Sequence, residues 1–274
     1  LWLRNQGGVE SKGFPEYFAR YSKEVVSALK DEVMFWITLN EPDIHPMNAY
    51  FRGLWPPQRK GVLAYTKAIR QLIRAHKTAY KIIKTINPAA QIGVSKDNVH
   101  FESANRNPWN ILLRVFADYF WNHYFFDAIK DHQDFVGLNY YFHNRIDWWY
   151  QKNENRKVSD LGWELYPEGF YYVLKDLAQY KKPIYVTENG LADVQDEKRA
   201  QFVKDCVAQM QRAMHEGADV RGYFHWSLLD NFEWDKGFWP RFGLMEVDYK
   251  TLERKIRSSA WEYKKIIEAN AIEL

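Results

Sequence analysis

Two glutamates stand out, because each follows a short apolar run and sits beside an asparagine. Residues 36–43 read WITLNEPD, so Trp36-Ile37-Thr38-Leu39 leads into Asn40 and Glu41. Residues 183–190 read PIYVTENG, so Ile184-Tyr185-Val186-Thr187 leads into Glu188 and Asn189. Short runs rich in β-branched and aromatic residues predict strands. A single strand ending on a carboxylate is most simply a salt bridge or a helix cap. Two such ends, together with Asn-Tyr-Tyr at 139–141 and a tryptophan-bearing stretch at 225–234, favour chemistry instead. Paired carboxyls facing one pocket suit glycosidic bond cleavage, one as acid and base, the other as nucleophile. A separation of about 5–5.5 Å gives retention and about 6.5–9.5 Å gives inversion. The spacing along the chain leaves that distance open.

The elements that must position these groups follow an alternating order. Strands are predicted at Val33 to Leu39, Gln91 to Ser95, Phe135 to Tyr140, Ile184 to Thr187 and Val220 to Ser227. Helical periodicity lies between them. It covers a segment from Pro15 with proline in its first turn, Val62 to Ile86, Asn110 to Lys130, Gly169 to Tyr180, Asp196 to Glu216 and Lys255 to Ala269. Strand–helix alternation predicts a parallel sheet covered by helices, in one domain over residues 1–274. Five strands suffice for a doubly wound sheet, whereas a (β/α)8 barrel needs three more before residue 1. In both architectures functional groups collect at the C-terminal strand ends. The polar stretches at Asn40-Glu41, Gly137 to Tyr141, Glu188-Asn189 and His225 to Trp234 fall there.

Composition narrows the function classes. The 274 residues carry a net charge of +3 with 27% charged and 46% hydrophobic residues, ordinary for a globular protein. There is no long basic block, which argues against nucleic acid, and no 18-residue apolar run, which argues against a membrane span. No G-x-G-x-x-G follows a strand, so no dinucleotide cofactor is indicated. The histidines lack metal-ligand spacing, and no metal or cofactor is expected. His225 is expected as a packed wall residue, Gly7-Gly8 as a turn and Cys206 as a small core residue. Residues 147–157, DWWYQKNENRK, are expected to loop over the rim and shape the leaving-group site. The aromatic fraction, 17%, fits a large core or a ring-lined pocket, and the placing of Trp near polar motifs favours the pocket.

Taken jointly, the motifs carry a resemblance. TLNEP at 38–42, GLNYY at 137–141, VTENG at 186–190, WSLLDNFEW at 226–234, RFGL at 241–244 and SSAWEY at 258–263 resemble, in this order, the signatures of glycoside hydrolase family 1, the β-glucosidase family. The resemblance implies a (β/α)8 barrel, here its last five β/α units, and hydrolysis of β-glycosides with retention. It implies Glu41 as general acid/base and Glu188 as nucleophile. Burial and the negative charge nearby would keep the proton on Glu41 at the start. Asn40 would bind the sugar 2-hydroxyl and Tyr141 would hydrogen-bond the nucleophile, with Asn139 beside it. Glu233 and Trp234 would hold the outer hydroxyls, Trp226 would stack on the ring, and Phe242 would line the pocket or simply pack. A carboxylate at 233 repels phosphate, so neutral sugars, β-glucosides first with β-galactosides and β-fucosides left open, are expected over 6-phosphorylated ones.

The segment LWLRNQGG resembles the stretch just after that family's third strand, so three strands, a sugar-binding glutamine and an arginine near the nucleophile have no counterpart here. Two expectations follow. The chain is an N-terminally truncated fragment of a retaining β-glycosidase, from a partial gene or from an assembly completed by an N-terminal fragment or a homo-oligomer, or it is a short non-catalytic homologue acting as a carbohydrate-binding or assembly module. A cytoplasmic location is expected.

Overall fold

The computed structural model describes residues 2–148 and 150–272, with only the backbone of Tyr150. Trp149, within the expected rim loop, and Leu1, at the head of LWLRNQGG, lie outside the described residues. In chain order the elements used below are α1 (Phe14–Leu29), β1 (Phe35–Asn40), α2 (Val62–Ile86), β2 (Gln91–Asp97), β3 (His100–Ser103), α3 (Pro108–Asp118), α4 (Tyr124–Ile129), β4 (Phe135–Tyr140), β5 (His143–Asp147) and β6 (Tyr150–Gln151). They continue with α5 (Pro167–Leu177), β7 (Ile184–Asn189), α6 (Arg199–His215), β8 (Val220–His225), β9 (Met245–Val247), β10 (Arg254–Ile256) and α7 (Ser258–Ala269). The chain forms two compact units. The first holds the residues up to Asp97 and 119–137, and the second holds 98–118 and those from Leu138 on.

In the first unit, α1 begins with Pro15 in its first turn, where the missing N–H costs nothing. Pro15, Ala19, Ser22 and Val26 fall on one stripe and are buried. Helix α2 offers a matching face of small residues, Ala64, Ala68, Ala75 and Ala79, which lets neighbouring elements approach closely. It stops at Asn87, the residue before Pro88, as proline sterics require. Strands β1 and β2 run parallel, Phe35 opposite Gln91 and Ile37 opposite Gly93, with a register shift before Asn40. Val26, Ile83, Ala90 and Ile92 form the core between helices and strands. The first half of β4 lies beside β2. Gly93 is required there, because a Cβ would stand 2.5 Å from the Phe135 ring. The expected Gly7-Gly8 turn is present, with φ of 90° and 67°.

In the second unit, the other half of β4 lies beside β7, and β7 pairs in parallel with β8. Asn189 donates from Nδ2 to the Tyr140 carbonyl at 2.6 Å, and Tyr223 donates to Asn189 Oδ1 at 2.7 Å. A side-chain ladder thus reinforces the strand end that carries Glu188. Helices α5 and α6 bury Phe170, Leu174, Leu177, Phe202 and Cys206, so the cysteine is a core residue as expected. Strands β3, β5 and β6 make a second small sheet, and β9–β10 form a hairpin.

Several boundaries differ from those read in sequence. The run at 184–187 continues as strand through Glu188 and Asn189, because that ladder extends the pairing past the polar residues. The strand from Val220 ends at His225, not Ser227. The single helix expected over 110–130 is instead α3, a π-helical turn at Tyr119–His123, then α4 and a 3-10 turn at Lys130–His132. Asn122 and His123 are buried at the wider turn. The helix expected from Lys255 starts at Ser258, since Arg254–Ile256 pair with β9. Part of the expected 147–157 loop is the β5–β6 hairpin, with Ile146 opposite Gln151.

Candidate active site

Glu41 belongs to the first unit. It follows directly on β1, and its N–H donates to the Ser95 carbonyl of β2 at 2.8 Å. Its backbone has φ of 46°, a left-handed conformation unusual for a residue that has a side chain and precedes proline. The Ile44 N–H closes the turn onto the Glu41 carbonyl at 3.1 Å. The glutamate is half-buried and Asn40 is exposed. Two residues on, the Asp43 carboxylate meets the Lys96 ammonium at 2.6 Å, with both side chains buried.

The second unit assembles more of the expected residues. Glu188, half-buried in β7, accepts a hydrogen bond from the Tyr141 hydroxyl at 2.6 Å. A bond this short to a carboxylate oxygen stabilises negative charge there and fixes the group's orientation. Tyr141 is held in turn by rings: Phe242 lies edge-on with centroids 6.1 Å apart, and Trp163 stands at 5.8 Å. Tyr141, Ala192 and Phe242 form a buried cluster against which Phe142, Leu161, Trp163 and Trp226 pack. Phe242 is therefore a support for Tyr141. The Trp226–Ser227 peptide is cis. Asn139 is fully buried in β4, and its Oδ1 accepts from Thr187 Oγ at 2.7 Å.

Glu233 sits on the loop after β8. Its N–H donates to the Gly237 carbonyl at 2.7 Å, and the Lys236 N–H returns to the Glu233 carbonyl at 2.8 Å. Burial above all, then the charges of Glu188 and Asp235, push its carboxyl up to about 7. Electrostatic coupling to Glu188 joins the loop to the β7 end. Trp234, at the same turn, is 66% exposed. The base of the loop is tied by Asp230, which accepts from Arg241 at 3.1 Å, from Arg257 at 3.2 Å and from the Gly243 N–H at 2.9 Å. Cations from two directions justify a carboxylate that is fully buried. His225 packs near Tyr263 and faces the Phe242 carbonyl at 3.2 Å. Burial lowers its pKa to about 4, so the imidazole is neutral at ordinary pH, consistent with a wall residue.

Sequence reasoning missed Trp163, which packs against both Tyr141 and Phe242. Its only signal was a tryptophan directly after Gly162, in the mixed stretch SDLGWELY. It also missed Asp230, Arg241 and Arg257, although two of these lie inside quoted motifs. A charged residue within a motif reads as a ligand or a surface group until its burial is known.

The profile of "Glycosyl hydrolase family 1" matches residues 1–129 and 122–272 of this chain. The 1,4-beta-D-glucan glucohydrolase of Thermotoga neapolitana is 31% identical across 98% of this chain, which spans 71% of that protein. The beta-galactosidase of Saccharolobus solfataricus is 34% identical across 93% of this chain, which spans 59% of that protein. Among solved structures, a beta-glucosidase from Thermotoga maritima in complex with deoxynojirimycin superposes with a TM-score of 0.93 at 30% identity, over 99% of this chain and 72% of its own. The parallel strands and covering helices are accordingly part of a (β/α)8 barrel fold. Among the described residues no helix is long and apolar enough to cross a membrane. The chain belongs to glycosyl hydrolase family 1 and is a glycoside hydrolase by class.

Proposed function

We propose that the chain carries both carboxylates of a retaining β-glycosidase acting on neutral β-D-glucosides. The observation that carries this reading is the 2.6 Å hydrogen bond from Tyr141 to Glu188 at the C-terminal end of β7. It prepares a charged, oriented carboxylate where a nucleophile is needed. In the first step Glu188 bonds to the anomeric carbon while the glycosidic C–O bond breaks, and Glu41 gives its proton to the departing oxygen. In the second, Glu41 takes a proton from water, whose oxygen bonds to the same carbon and releases Glu188. Two inversions give net retention. Asn40 binds the 2-hydroxyl, Trp226 and Trp234 contact the sugar, and Glu233 holds its outer hydroxyls, with Asn139 supporting the rim beside Tyr141. The names of the two relatives support glucosides first and galactosides second. The test is the anomer formed first from a β-glucoside, read by NMR before mutarotation. β-Glucose is expected, and α-glucose would overturn the retaining reading. A cytoplasmic setting, and completion by a further chain or a second copy, are proposals carried by the sequence reading alone.

Two substitutions probe the second unit. Tyr141→Phe removes one charge-assisted hydrogen bond, about 1.5–3 kcal/mol, so kcat should fall roughly 10- to 100-fold. Loss of the phenol should leave KM for the same glucoside within a few-fold. An unchanged kcat would deny Tyr141 its role.

Glu233 predicts a pH effect. A carboxyl raised to about 7 is protonated below that pH and ionised above it. The ionised form accepts stronger hydrogen bonds from sugar hydroxyls. KM should therefore fall as pH rises through about 7, and Glu233→Gln should abolish that inflection while raising KM overall. An inflection that survives the substitution would assign it to another group.

A further inference from the structure

The backbone of Glu41 does not hold its conformation unaided. A non-glycine residue at φ 46° directly before a proline lies in a sparsely populated region, at a cost on the order of 1–3 kcal/mol. The direction of the Glu41 side chain depends on that conformation, because an extended or right-handed backbone would re-aim the carboxyl. Something adjacent must hold the turn. Two consecutive residues of β2 do so. Ser95 receives the Glu41 N–H at the start of the turn, and Lys96 grips Asp43 at its end. Lys96 Nζ stands 2.6 Å from Asp43 Oδ2 and donates also to the Asp97 carbonyl at 2.9 Å. The side chains are 1% and 5% exposed, and the Trp121 ring lies 5.7 Å from the ammonium. Tyr65 of α2 lies within electrostatic reach of the same carboxylate: burial first, and then the Asp43 charge, raise its pKa.

We propose that Lys96 and Asp43 are positioning residues for Glu41: their buried ion pair clamps the left-handed turn that aims the acid/base carboxyl. Stability alone does not require the pair, since well-packed apolar residues commonly replace buried ion pairs at no loss. What an apolar pair lacks is direction. A lysine with two fixed acceptors sets the place of residue 43 to within a hydrogen bond, and misplacement of a catalytic group by about 1 Å can cost on the order of 100-fold. The inference rests on the reading of Glu41 as acid/base.

The leaving group separates positioning from general damage. An alkyl β-glucoside needs a proton from Glu41 as its bond breaks, whereas a 2,4-dinitrophenyl β-glucoside departs without one. In the protein as the cell makes it, Asp43→Asn and the double variant Asp43→Asn/Lys96→Met should each lower kcat/KM for the alkyl glucoside by about 10- to 100-fold. The same parameter for the dinitrophenyl glucoside should stay within about threefold. The double variant leaves no unpaired buried charge, so folding is preserved if a single variant unfolds. Equal losses on both substrates, or none on either, would overturn the proposal. Glu41→Ala serves as the control: if it shows no leaving-group dependence, the acid/base reading itself fails. Hydrogen exchange of residues 38–46 reports on the clamp independently of turnover. Those amides should exchange at least tenfold faster in the double variant, with β7 and β8 unchanged, and equal rates would show that the pair does not hold the turn.

Discussion

Glu188→Gln should reduce kcat for any β-glucoside by about 10^4-fold or more, as loss of a nucleophile does elsewhere. The substitution is nearly isosteric. The Tyr141 hydroxyl, 2.6 Å from Oε2, can still donate to the amide oxygen, so the aromatic support of Tyr141, Phe242 and Trp163 stays in place. Unfolding free energy should shift by no more than about 1 kcal/mol, the worth of one hydrogen bond. What vanishes is the negative charge and lone pair that, in the proposed mechanism, form the bond to the anomeric carbon. Glu233 should respond as well. One of the charges that hold it near 7 is Glu188, so its pKa should fall in the variant, visible as a displaced carboxyl signal in NMR titration. The combination of lost turnover, intact stability and a shifted Glu233 identifies Glu188 as a charged nucleophile. Activity surviving at the parent level would remove it from that role. A parent protein that binds glucosides without cleaving them would instead favour a carbohydrate-binding module.

Much of the candidate site was legible in sequence because parallel strands carry functional groups at their C-terminal ends, and those ends are polar here. Glu41 and Glu188, each beside an asparagine, stand out as carboxylates that no half-buried strand needs. The five strands were visible because β-branched runs alternate with helical periods. What stayed hidden depends on relations that periodicity does not encode. Asn189 reads as a rim residue, yet its amide ties β7 to β4 and makes Glu188 part of the strand. The π-helical turn at Tyr119–His123 looks like continuous helix, because one extra residue per turn leaves composition unchanged. Asp230 lies inside a motif read for its sugar contacts, but it serves Arg241 and Arg257 and so anchors the loop that carries Glu233. Lys96 has no local signal at all. Its importance comes from Asp43, a residue 53 positions away in sequence that the fold brings to 2.6 Å.

Glu41→Ala should produce a different signature from Glu188→Gln, and the difference follows from the two roles proposed for Glu41. In bond cleavage it is an acid, so loss should lower kcat/KM by about 10^2- to 10^4-fold for poor leaving groups and little for dinitrophenolate, which needs no proton. In hydrolysis of the glycosyl ester it is a base, so kcat for the dinitrophenyl glucoside should fall as the covalent species accumulates. The predicted sign is therefore a low kcat together with a low KM on the activated substrate, because KM reports the accumulated intermediate. Azide is already anionic and needs no base. Added to the variant, it should restore kcat and yield the β-glucosyl azide, since the second inversion still occurs at the face opposite Glu188. The strained turn at φ 46° offers a further check. Alanine keeps the Cβ and hence the backbone preference, so stability should change little, whereas Glu41→Gly relaxes a positive φ and should stabilise the fold by a few tenths of a kcal/mol to about 1. If azide gave the α-azide, attack would be coming from the other face, and the acid/base and nucleophile assignments of Glu41 and Glu188 would have to be exchanged.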